Sequence, residues 1–195
     1  MSQNQKPNPN VATKIVTDKV RLSYLHVWEP AAVDEGSEKK YSASIIIPKL
    51  VNGKKNPDVD KIVTAISAAI EQGKAKWGGK VPSNLKTPLR DGDKEREDDD
   101  AYAGSYFINA SSTTKPGVVD ANIQTIINQD ELYSGCYGRV SINFYAFDKG
   151  VNKGIAAGLN NIQKLEDGDP LGGRSTPEND FAATASAGDL PDWMK

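Results

Sequence analysis

The chain has 195 residues, 37% of them hydrophobic, a formal net charge of -2, one cysteine and one histidine. That length suits a single domain with appendages and a real core; the lone Cys136 excludes an internal disulfide or a multi-thiolate metal site, and His26 alone leaves histidine-based acid and base catalysis little to work with. The longest apolar runs, such as Ile45-Ile46-Ile47, fall far short of the about 20 residues a membrane helix needs. The polar opening MSQNQKPNPN has no apolar stretch of a signal peptide, so a cytoplasmic protein with no membrane partner is expected.

In chain order, residues 1–13 are polar and rich in Pro and Asn, and are expected to form a flexible lead-in. VRLSYLHVW (Val20–Trp28) alternates as a strand, and its apolar parity switches near Tyr24 and Leu25, which predicts a bulge there. After a turn-rich stretch, KYSASIIIPK (Lys40–Lys49) sets Tyr41, Ala43, Ile45 and Ile47 against Lys40, Ser42, Ser44 and Ile46. NPDVDKIVTAISAAIEQGKAKW carries Ile62, Ile66, Ala69, Gly73 and Trp77 at helical spacing, with Asp58 as the expected cap and Gly78-Gly79 as the stop. A long loop follows. SYFINASSTTKPG returns to strand, with Tyr106, Ile108 and Ala110 opposite Phe107, Asn109 and Ser111. RVSINFYAF (Arg139–Phe147) sets Val140, Ile142, Phe144 and Ala146 against Arg139, Ser141, Asn143, Tyr145 and Phe147. KGIAAGLNNIQKL closes the series, with Gly158 mid-strand where another group can approach closely. From Glu166 onward the composition is that of a disordered tail.

The small net charge hides a segregation. The stretch from Glu166 to the end holds seven acids and two bases, and RDGDKEREDDD (Arg90–Asp100) seven acids and three bases, leaving 19 bases against 12 acids in the remainder. A basic body with its acid set apart is compatible with a polyanionic partner.

The chain has no Walker-type loop, no HExxH, no GxSxG and no Gly-rich dinucleotide turn, so no cofactor and no metal are expected. The alternative is a metal-dependent nuclease built on the carboxylates Asp91, Asp93, Glu95, Glu97, Asp98, Asp99 and Asp100. Two-metal chemistry holds such groups on rigid elements, whereas these lie in one hydrophilic run broken by Lys94 and Arg96, which reads as a solvated loop.

The binding reading rests on the outer strand faces. Arg21 and Ser23, then Lys40, Ser42 and Ser44, then Phe107, Asn109 and Ser111, then Arg139, Ser141, Asn143, Tyr145 and Phe147 combine small polar groups, cations and rings. Single-stranded nucleic acid needs that mixture, because bases stack on aromatic faces and cations meet phosphates without reading sequence. Tyr145, Phe147 and Phe107 are therefore predicted to stack bases, and Arg139, Arg21, Lys40 and Lys115 to meet phosphates.

RLSYLHVWEP, KYSASIIIPK, LKTPLRDGD, YFINASSTTKPGVVD, LYSGCYGRVSINFYAFDKGVNKGIAAGLNNIQKL and DPLGGRSTPENDF resemble, in that order, a family of tailed-phage single-stranded DNA-binding proteins with an OB fold, formerly catalogued as a domain of unknown function. The resemblance covers Val16 to Phe181. It implies a mainly β protein, a five-stranded OB barrel with one helix and long loops, that binds single-stranded DNA in phage replication, recombination or repair, without catalysis, in the cytoplasm of the infected bacterial host. The ending GDLPDWMK is similar to the acidic tips of single-strand-binding proteins, which implies that Asp189, Asp192 and Trp193 meet phage or host replication partners. The expected division is a flexible 1–13, a DNA-binding domain over 14–165 and an acidic tail over 166–195. Nothing in the sequence sets an oligomeric state.

Overall fold

The computed structural model describes residues 12–32 and 34–172. Its strands are β1 (Lys14–Val16), β2 (Val20–Ala31), β3 (Lys40–Pro48), β4 (Leu50–Val51), β5 (Lys54–Lys55), β6 (Arg90–Asp91), β7 (Ser105–Ser112), β8 (Gly117–Val119), β9 (Tyr137–Lys149) and β10 (Asn152–Glu166). Its described α-helices include α1 (Pro57–Gly73) and the single turn α2 (Gly92–Glu95).

Five long strands close on themselves. β2 pairs with β3, β3 with β7, β7 with β10 in parallel, β10 with β9, and β9 returns to β2 through Val20↔Gly138 and Arg21↔Tyr137. Closure removes the free edges that an open sheet would expose. β1 adds to β9, β8 extends the parallel side of β10, and β4 and β5 form a separate small hairpin.

The core lies inside this ring because the apolar parities of the strands converge there. Val140, Ile142, Phe144 and Ala146 of β9 are buried with Ala43, Ile45 and Ile47 of β3, Ile108 and Ala110 of β7, and Ile155, Ala157 and Leu159 of β10. Each fully buried Val, Leu, Ile or Phe contributes roughly 1.5–3 kcal/mol relative to an exposed one. β2 changes parity where expected: its register with β3 shifts between Ser23 and His26, and Tyr24 takes a positive φ of 45°.

α1 closes one side of the barrel with Val59, Ile62, Ala65, Ile66 and Ala69. Its cap differs from the sequence expectation. Asn56 caps it, accepting the Asp58 N–H at 3.0 Å with Pro57 in the first turn, and also donates to the Pro48 carbonyl at 2.8 Å. Asp58, two residues further on, is buried and ties the helix start to the chain before β2, accepting the Asp18 N–H at 2.7 Å. Beyond α1, a 3-10 turn (Lys74–Trp77) buries Trp77, whose indole N–H donates to the Phe147 carbonyl at 3.1 Å. No helix among the described residues is long and apolar enough to cross a membrane.

The long acidic loop is ordered and does structural work. β6 pairs with β7 at Arg90↔Phe107, and the 3-10 turn Asp100–Tyr102 then lays Tyr102 over the outer face of the sheet. Ile46, Tyr102 and Phe107 form a second, small core outside the ring, with the Tyr102 and Phe107 rings edge to face at 5.1 Å. The Tyr102 hydroxyl bonds the Ser44 hydroxyl at 3.0 Å, so Ser44 is buried as well. One end of the outer face is thereby covered.

Candidate nucleic-acid interface

What the loop leaves open is a transverse row of small polar residues. Strand registers align His26 with Ser42, Ser42 with Ser111, Ser111 with Gly158, Gly158 with Asn143, and Asn143 with Lys14. The row crosses six strands, about 24 Å at the usual strand spacing of about 4.8 Å. Its low side chains leave the floor flat, and Gly158 keeps it so: a Cβ there would come within 2.7 Å of the Asn143 side chain.

Three hollows run along this row and share residues. The first, about 430 Å3, is lined by Tyr24, His26, Ser42, Ser44, Arg96, Asn109 and Ser111 among others. The second, about 260 Å3, shares Ser111 and adds Lys40, Thr113, Asn143, Tyr145, Gly158 and Asn160. The third, about 360 Å3, shares Asn143, Tyr145 and Asn160 and adds Lys14, Gln72 and Lys76. Together they form a trough lined by the cations Arg96, Lys40, Lys14 and Lys76, and no carboxylate lines any of the three. A carboxylate-free trough with cations along it suits an extended polyanion. The hollow between the β4–β5 hairpin and β2 differs: it is lined by Asp18 and Asp58 as well as Lys19 and Arg21, with Ile46, Pro48, Leu50 and Val51.

Of the seven residues predicted to touch nucleic acid, two meet in the trough. Lys40 and Tyr145 line the same hollow, and Tyr145 is 44% exposed. Phe107 is a correction. It lies on the outer face as its parity requires, but Tyr102 and the guanidinium groups of Arg90 and Arg96, 5.0 and 5.7 Å from its ring centroid, bury it completely. It anchors the covering loop and presents no free ring.

The other four stand elsewhere. Arg21 donates to the Asp169 carbonyl at 2.8 Å and stacks on Tyr137, at the end of the barrel away from the row. Arg139 is exposed and donates to the Thr17 carbonyl at 3.1 Å. Lys115 lies 5.6 Å above the Trp28 ring. Phe147 is half-buried beside Gly154, close to Trp77. Asp189, Asp192 and Trp193 lie outside the described residues. Sequence reading missed Tyr24, Arg96, Lys14 and Lys76 as trough residues. Arg96 was masked by the acids around it, and Lys14 and Lys76 by lying outside the barrel strands.

Asp91, Asp93, Glu95 and Asp99 of the acidic run are held by structure. Lys49 bridges Asp91 at 2.6 Å and Asp93 at 2.7 Å, and Asp93 also accepts the Gly104 N–H at 2.7 Å. The Asp91 hydrogen bond, then that of Asp93, raises Lys49 well above the ordinary lysine value; the Lys49 ammonium, then the Gly104 amide, hold Asp93 below the ordinary carboxylate value. Glu95 pairs with Arg90, and Asp99 accepts the Ala101 N–H. Among the described residues no group of three or more His, Cys, Asp or Glu side chains is placed to hold a metal ion.

A closed five-stranded barrel with a parallel β7–β10 pair and an open polar strand face defines an OB-type binding module. The family model described as the ssDNA-binding protein of Enterobacter phage Enc34 matches residues 13–191, and the chain belongs to that family. A curated relative, putative protein p50 of Acyrthosiphon pisum secondary endosymbiont phage 1, is 34% identical over 170 residues, which cover 82% of this chain and 87% of p50. The single-stranded DNA-binding protein from bacteriophage Enc34, solved in complex with ssDNA, superposes with a TM-score of 0.71 at 26% identity, over 86% of this chain and 96% of that one. gp2.5 of bacteriophage T7, a single-stranded DNA-binding protein, shares the fold at a TM-score of 0.56 and 14% identity, over 84% of this chain and 97% of its own.

Proposed function

We propose that this chain binds single-stranded DNA without reading its sequence, and that it acts on strands exposed during replication, recombination or repair of a phage genome, in the cytoplasm of the infected bacterium. The observation that carries this reading is the trough: a floor of Ser42, Ser111 and Gly158, an exposed Tyr145, and four cations with no lining carboxylate. Family membership and a relative solved with ssDNA on the same fold support it. Bases stacked on Tyr145 and phosphates near Lys40, Lys14 and Lys76 require no catalytic group, and the reading includes no catalysis.

We extend the reading to the division of the chain. Residues 14–165 form the binding domain, 1–13 a lead-in, and the acidic 166–195 a segment whose Asp189, Asp192 and Trp193 recruit replication partners, an aromatic flanked by acids being a favoured anchor.

The test is a mobility shift with a labelled oligonucleotide across a salt series, with magnesium and manganese in parallel lanes. Salt-sensitive retardation with the strand left intact is expected; cleavage would favour the nuclease alternative, and no shift at low salt would overturn the reading.

A further inference from the structure

Tyr24 sits in a conformation that its own side chain disfavours. Its φ of 45° is one that Gly, Asn and Asp tolerate far better than an aromatic residue, and it interrupts the β2–β3 ladder between Ser23 and His26. Burial does not compensate, since the residue is 52% exposed. A residue that is both conformationally costly and exposed earns little in the fold, and such positions cluster where a ligand is met.

Arg96 holds the ring. Its guanidinium lies 5.4 Å from the Tyr24 centroid and, on its other contacts, 5.4 Å from that of the buried Tyr102 and 5.7 Å from that of Phe107. The cation is thus fixed by the second core and braces one face of Tyr24. The residue remains exposed, over the hollow that continues through Ser42 and Ser111 into the trough.

We propose that Tyr24 is a base-stacking platform at one end of the trough, set at its angle by the β2 bulge and braced by Arg96. The inference rests on the single-stranded DNA reading above and assigns to it a station that the strand parities alone do not reveal. The ligand is a nucleobase of an unpaired strand. Because the ring is uncharged, it contributes stacking and leaves the count of neutralised phosphates alone.

The experiment pairs Tyr24→Asn with Tyr24→Trp in the full chain, and measures thermal stability and affinity for a fluorescent oligothymidylate over a salt series. An otherwise identical oligonucleotide bearing abasic units is the control. Asn tolerates the positive φ, so Tyr24→Asn is expected to be at least as stable as the wild type while binding about 5- to 100-fold more weakly, the range for one lost base stack. The salt slope is expected to stay unchanged, the abasic strand to show less loss, and Tyr24→Trp to retain affinity. Affinity of Tyr24→Asn within twofold of wild type, while Lys40→Ala and Tyr145→Ala weaken binding, would overturn the Tyr24 assignment and leave the binding reading standing. A loss that tracks a loss of stability, or one with a reduced salt slope, would also overturn it. A wild type that binds no oligonucleotide would overturn both.

Discussion

Phe107 and Tyr145 carry rings on outer strand faces, and the structure gives them opposite work. Phe107 is sealed under Tyr102, Arg90 and Arg96, so Phe107→Ala should cost about 3–5 kcal/mol, read by denaturant unfolding. Tyr145→Ala removes an exposed ring and should leave stability within about 0.5 kcal/mol of wild type, while affinity for an oligothymidylate falls about 5- to 100-fold. Two glycines on β10 separate in the same way. A Cβ at Gly154 would meet the Lys86 carbonyl oxygen at 2.5 Å, a backbone atom that cannot swing away, whereas a Cβ at Gly158 would meet only the far end of the Asn143 side chain. Gly154→Ala is therefore expected to destabilise by about 1–3 kcal/mol. Gly158→Ala should keep its melting temperature and lose affinity, because the displaced Asn143 enters the trough.

At the scale of elements, the loop from Arg90 to Gly104 decides how much of the sheet is open. Its latch is Lys49 between Asp91 and Asp93, with Asp93 also holding the Gly104 N–H. The folded state lowers the Asp93 pKa, so its contribution is present above the ordinary value of 3.8 and is lost as pH falls through the lower folded value. The folded state raises the Lys49 pKa, so its contribution is full below 10.5 and is lost only as pH rises beyond that. The latch should hold throughout that window and loosen on its acid side. Protection of the Gly104 amide against hydrogen exchange, corrected for intrinsic rates, should fall below pH 3.8 in the wild type and be low at neutral pH in Asp93→Ala, which has no acceptor there. Protection in Asp93→Ala equal to wild type at neutral pH would show that the latch is not what holds the loop. α1 and the 3-10 turn that follows it frame the trough on the other side, through Gln72 and Lys76 respectively. The Asn56 cap of α1 joins the helix start to the end of β3, and Asn56→Ala should lower stability by about 0.5–2 kcal/mol.

For the whole molecule, the net charge of -2 misstates how the surface meets a polyanion. Asp91, Asp93 and Glu95 of the loop are paired with Lys49 and Arg90 and Asp99 is used as a cap, while the lining of the trough itself carries Arg96, Lys40, Lys14 and Lys76 and no carboxylate. Binding should weaken steeply with salt, and Lys14→Gln should reduce the slope of log K against log salt by about 0.7, the single-strand value for one neutralised phosphate. An unchanged slope would place Lys14 off the path of the strand.

Much of this was legible along the chain. Alternation alone put Val140, Ile142, Phe144 and Ala146 inside, the parity switch located the bulge at Tyr24, helical spacing marked α1, and the motifs from RLSYLHVWEP to DPLGGRSTPENDF carried the family. These are local properties, because side-chain direction along a strand or helix follows from backbone periodicity. Only the tertiary structure decided which part of the outer face stays open. Phe107 and Asn109 share a face and stand two residues apart, yet one is buried and the other exposed, because a loop from earlier in the chain lays Tyr102 on the first and stops short of the second. Arg96 reads as one cation lost among acids until Tyr102 and Phe107 fix it beneath Tyr24. The row from His26 to Lys14 exists only once five strand registers align across six strands, and long-range pairing of that kind leaves no periodic trace in any single segment.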